Sequence, residues 1–278
     1  MKMELDFVGL PDVSRVPLKN APLVLALCQV RFSSMISVSD PASLTAFQRA
    51  IKSRYPVAVP AQEIELLVDI GSFDAGLRGE QRRTSQWQFT DQEDNWKIVL
   101  APDFLTLETR NYEHFADFLS RLREALDVLV EHIQPTVVTR IGLRYVNEIR
   151  LDELQGMDWF NVIRKDLLGP VAASELMQNT IQVATVQQLV LRYPDEVSIN
   201  MHHGLVPIGT TVRLRRNEEA PTSPFYLLDF DVFRDFPLPR ALDMDRNIIC
   251  QHVEMYHKVI YRLFRWSVTN QYIATMEK

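Results

Sequence analysis

The chain has 278 residues, 46% of them hydrophobic and 24% charged, with a formal net charge of −6. That is enough apolar material for a sizeable core, which excludes a disordered or fibrous chain, and the negative balance argues against a surface made throughout for nucleic acid. No run approaches the roughly 20 apolar residues of a spanning helix, and the start (MKMELDFVGLPD) lacks a signal peptide's apolar core and cleavage site, so the sequence reads as soluble and cytoplasmic.

In chain order, residues 1–20 hold Leu5, Phe7, Val8, Leu10 and Val16 without a period, as in a segment lying along the body or docking on another subunit. Residues 23–32 (LVLALCQVRF) read as a strand. A helix is expected over 42–54, with Leu44, Phe47, Ala50 and Ile51 at helical spacing, Ser39 or Asp40 as cap and Pro41 in the first turn. Turn formers in 56–62 suggest a loop. Glu63 and Glu65 alternate onto one strand face and resemble the paired glutamates of tunnel-shaped triphosphate hydrolases, but residue 67 is leucine where that pattern needs lysine. Residues 71–85 read as a glycine-rich loop carrying Arg78, Arg82 and Arg83.

Three short strands follow at 87–89, 96–100 and 104–109, separated by hairpin-length turns, which makes an antiparallel meander rather than a nucleotide-binding parallel sheet. The long helix at 112–133 shows an apolar stripe of Phe115, Phe118, Leu119, Leu122, Leu126, Leu129 and Val130. Gln134, Pro135 and Thr136 end it and form the pivot between residues 1–134 and 135–278.

Beyond the pivot the order repeats. Strand alternation over 140–150 puts Ile141, Leu143, Tyr145, Asn147 and Ile149 on a core face, and Arg140, Gly142, Arg144, Val146, Glu148 and Arg150 on the other. That second row is either an anion-binding wall or a charged solvent face. A helix over 158–168, strands at 187–192, 197–202 and 225–233, and a helix over 246–268 with Ile249, Val253, Tyr256, Ile260, Leu263 and Phe264 inward complete the half. Residues 204–210 and 217–224 read as loops, and 211–217 carries Arg213, Arg215 and Arg216. The fold class expected is α+β: two βαβββα-like half-units in a pseudo-two-fold arrangement, their antiparallel sheets packed against long helices in one body.

Chemistry is harder to find. His252 and His257 lie five apart without a carboxylate motif, and His202 and His203 are neighbours on a strand and point to opposite faces, so neither pair makes a metal site. Cys28 and Cys250 fit buried, reduced thiols. No phosphate loop, dinucleotide fingerprint or GxSxG turn occurs, and no cofactor is indicated. Guanidinium suits phosphate and carboxylate, so Arg78, Arg82, Arg83, Arg140, Arg144, Arg213, Arg215 and Arg216 are the candidate ligand- or partner-binding residues.

Pro22 before a strand ending in Arg31-Phe32, Trp87 in a later strand, the Tyr112-x-x-Phe115 helix start, RIGLRYVNEI, Phe230-Asp231 and the apolar spacing around Phe264 carry a resemblance. The chain resembles a sporadically distributed, uncharacterised bacterial protein family of about this length, often near mobile-element or phage-defence genes. The resemblance implies action with a neighbouring gene's product and assigns no catalytic residue.

Two readings of function stand. One is a non-enzymatic recognition or adaptor protein for a macromolecular partner: a neighbouring gene's product, a second copy of itself, or nucleic acid through the arginine loops. The other is a ligand sensor or enzyme that holds an anionic nucleotide or phosphate in a cleft between half-units.

Overall fold

Along Leu23–Phe32 every second side chain is buried, from Val24 through Ala26, Cys28 and Val30 to Phe32, which is the period of a strand covered on one face only. This strand, β1, is the first of ten that the described residues place in a single antiparallel sheet. A computed structural model describes residues 9–10, 13, 18, 20–68, 79–173, 184–207 and 223–277, with side chains except at 39 and 63–84. After β1 come α1 (Pro41–Ile51), β2 (Val57–Val68), β3 (Gly79–Thr90), β4 (Trp96–Ala101), β5 (Phe104–Thr109) and α2 (Phe115–His132). Then follow β6 (Val137–Arg150), α3 (Trp159–Val162), α4 (Lys165–Leu168), β7 (Gln187–Arg192), β8 (Val197–Val206), β9 (Phe225–Asp235), β10 (Leu242–Asp243), α5 (Arg246–Ser267) and α6 (Asn270–Met276).

The strand order is β2-β3-β4-β5-β1-β6-β9-β8-β7, with β10 beside β6. The meander β3 to β5 follows from the short turns at 91–95 and 102–103. At the middle, β1 and β6 pair antiparallel from Leu23 with Asn147 to Phe32 with Val138.

The helices lie on one face of this sheet. Their apolar stripes supply Phe118, Leu122, Leu126 and Leu129 from α2, and Ile249, Val253, Tyr256 and Ile260 from α5. These meet Leu105, Leu107, Ile141, Leu143, Leu228 and Phe230 of the sheet in one core cluster. Each fully buried Leu or Phe there contributes about 2 kcal/mol. Val130 was expected in the α2 stripe but is exposed, because it lies beyond the arc that meets the sheet.

Five other expectations are corrected. Residues 57–62, expected as loop, open β2, and residues 79–85 belong to β3. Pro60 is tolerated because β2 is an edge strand, where a missing N–H leaves no ladder bond unmade. The single helix expected over 158–168 is two. Asp158 and Asn161 close a capping box on α3, Ile163 turns extended to bridge Val268, and α4 begins after Arg164. Strand β8 continues past His203 to Val206, through Gly204. There φ is +151° and an added Cβ would stand 1.7 Å from the Thr185 carbonyl oxygen, so only glycine fits. Finally, α5 stops at Ser267, and Thr269 caps a further helix, α6, by accepting from the Tyr272 N–H.

No helix among the described residues is long and apolar enough to cross a membrane.

Candidate functional site

Among the described residues the second face of the sheet carries no helix, and its pattern can be followed strand by strand. Gln88, Val99, Thr106, Gln29, Gly142, Phe233 and Ser198 occupy one transverse row across β3, β4, β5, β1, β6, β9 and β8. Lys97, Glu108, Leu27, Arg144 and Asp231 form the row on one side. On the other stand Gln86, Phe104, Arg31 and Arg140. In the central row Val99, Thr106, Gly142 and Ser198 are short beside Gln88, Gln29 and Phe233, while Lys97, Glu108, Arg144, Arg31 and Arg140 on its flanks are long and charged. The result is a trough, and a cavity of about 340 Å³ opens in it, lined by residues of all three rows.

Electrostatics organise the trough. Arg144 holds Asp229 with two parallel hydrogen bonds, Nε to Oδ1 at 2.8 Å and Nη2 to Oδ2 at 2.7 Å. This fork geometry is the strong form of a charge-assisted contact. It raises the Arg144 pKa and makes the burial of Asp229 tolerable. The His202 Nδ1 stands 3.5 Å from the same carboxylate. Arg140 lies 3.6 Å above the Phe233 ring, bonds Asp235 at 3.2 Å and stands 3.7 Å from Asp231. Burial pushes the Asp231 carboxyl up, and Arg140 and Arg144 pull it back. Lys97 faces Glu108 at 3.5 Å, while Arg31 donates to Gln29 Oε1 at 2.8 Å.

One group breaks the pattern. Gln86 is only 9% exposed, and its Oε1 is buried without a hydrogen-bond partner. A buried amide acceptor left unmatched costs about 1–3 kcal/mol, and here it stands in the lining of a polar cavity.

Of the eight candidate arginines, Arg140 and Arg144 are brought together on this face. Arg82 and Arg83 lie in β3 opposite Glu65 and Ile64, with side chains outside the described residues. Arg78, Arg213, Arg215 and Arg216 also lie outside the described residues. Glu148, expected as a carboxylate partner within the 140–150 row, pairs with Arg150, whereas the acids that partner Arg140 and Arg144 were not anticipated. The signal was present in FYLLDFDVFRD, where Asp229, Asp231 and Asp235 share strand parity and therefore one face.

On the helix side, a second cavity of about 500 Å³ lies where α2, α5 and β6 meet. Tyr145 donates to the Tyr112 hydroxyl at 3.2 Å and stands 3.1 Å from His257 Nδ1. The His257 ring stacks on Phe115 with centroids 3.9 Å apart. Deeper in the core, the Tyr226 hydroxyl donates to the Leu167 carbonyl at 2.8 Å, so its contact with His203 Nδ1 at 3.0 Å requires the proton on that nitrogen. Burial holds both His203 and His252 below the ordinary histidine value, His252 at about 4. Among the described residues no group of three or more His, Cys, Asp or Glu could hold a metal ion. Cys28 and Cys250 are free and buried, and burial pushes both thiols up, away from the reactive thiolate.

No protein-family model and no curated protein matches the chain.

Proposed function

We propose that the protein is a non-enzymatic recognition or adaptor protein whose sheet face opposite the helices docks a polypeptide partner. The observation that carries this reading is the charge pairing of that face. Arg140, Arg144 and Lys97 each stand against a carboxylate, so the face has donors and acceptors in alternation but little net charge for a phosphate to find. An anionic nucleotide held by Arg140 and Arg144 would first have to displace Asp235 and Asp229.

The order of the sheet supports a reading as two βαβββα-like half-units, residues 1–134 and 135–278, related by a pseudo-two-fold at the β1–β6 seam. Outward from the seam, β1-β5-β4-β3 on one side answers β6-β9-β8-β7 on the other, with β2 as an addition to the first. The partner surface would then span the seam. The family resemblance supports a cytoplasmic partner encoded nearby, in a phage-defence setting, and edge strands β2 and β7 offer a route to a homo-oligomer.

Affinity capture from the native host tests the reading. The wild-type chain should retain a protein that the trough-filling Gln88→Trp variant loses and a Lys258→Glu variant on α5 keeps. Equal capture by all three, or turnover of a nucleotide by the purified protein, would count against it.

A further inference from the structure

The occupant of the trough can be named by its chemistry. We propose that the trough holds an extended polypeptide segment lying across the strands, one of whose N–H groups donates to Gln86 Oε1. This rests on the reading of the face as a docking surface and adds what is bound there and by which residue.

Length comes first. From Gln88 on β3 to Gly142 on β6 the central row crosses five strands. At about 4.8 Å between strands that is about 19 Å, the reach of about six residues of extended chain at 3.3 Å each.

Polarity comes second. A peptide main chain presents donors and acceptors in alternation, and the trough does the same with the Gln86 and Gln88 amides, the Arg140 and Arg144 guanidiniums and the Asp231 carboxyl. A single-stranded nucleic acid would need unpaired cations and an open aromatic platform. Here Phe104 is 5% exposed, and Arg140 covers Phe233.

The orphan acceptor comes third. Gln29, on the trough floor, is satisfied at both ends of its amide, by Arg31 and by Thr106. Gln86 Oε1 is not. The terminal torsion of glutamine is broad and soft, so rotation of the amide can present that oxygen to the cavity its residue lines. A donor arriving along the trough then satisfies a group that the fold leaves unmatched.

A random heptapeptide library displayed against the immobilised full chain tests this, with Gln86→Leu and Gln88→Trp alongside and thermal unfolding confirming that each variant is folded. The expected result is a peptide family enriched on the wild type, bound at least about tenfold more weakly by Gln86→Leu, the worth of one well-placed hydrogen bond, and lost on Gln88→Trp. No enrichment overturns the proposal. So does enrichment indifferent to Gln86→Leu, or displacement of the peptides by inorganic phosphate or a single-stranded oligonucleotide. Where the host partner still depends on Gln88 but no peptide does, this inference alone falls. Where capture ignores Gln88→Trp, the docking reading beneath it falls.

Discussion

Asp229 is 4% exposed, and the two hydrogen bonds from Arg144 are what make its charge tolerable there. Truncating one partner of such a pair strands the other. Arg144→Ala should therefore lower stability by about 2–3 kcal/mol in urea unfolding, and the double change Arg144→Leu with Asp229→Leu should recover much of that loss. Gln86→Leu should behave in the opposite sense, leaving stability unchanged or raising it by about 1 kcal/mol, because it removes an unmatched buried oxygen. The histidines set an acid limit. His252, held neutral with its pKa lowered to about 4, takes up a proton less readily in the folded than in the unfolded chain, whose value is near 6.5. Its contribution is whole above pH about 6.5 and is lost as the pH falls from there toward about 4. Melting temperatures across that window should decline less steeply in a His252→Gln variant than in the wild type.

At the scale of elements, Gly204 shows what backbone proximity demands. A methyl group there would collide with the Thr185 carbonyl, so Gly204→Ala should cost about 3 kcal/mol or more and loosen the end of β8, read as a lower urea midpoint. Strands rich in apolar residues between clear turn formers were legible in the sequence with their boundaries, as at Leu23–Phe32 and Phe104–Thr109. Strand β2 and the start of β3 were not, because an edge strand carries proline and polar residues that pattern reading takes for loop. The split of α3 from α4 was hidden for a different reason. Ile163 fits a helical period in sequence, and its bridge to Val268 is a tertiary contact more than a hundred positions away. Half of the candidate site was visible in the same way. Alternation places Arg140 and Arg144 on one face of β6, but their neutralisation depends on β9 lying beside β6, which no local pattern states.

On the scale of the whole molecule, one sheet runs unbroken through both parts of the chain, with β1 and β6 at its middle and the helices on one face. Among the described residues helices cover one face of this ten-stranded sheet, and the way the other face is furnished decides its use. Here it has a central row rich in short side chains, paired charges on its flanks and one orphan acceptor. Carboxyl footprinting of the complex recovered from the host addresses the central claim most directly, since both faces carry solvent-accessible acids. The account predicts that Glu108, Asp231 and Asp235 lose their labelling when the partner is bound, while Glu124 on α2 and Glu254 on α5 keep theirs. Protection of Glu124 and Glu254 with Glu108, Asp231 and Asp235 still labelled would place the partner on the helices and contradict it.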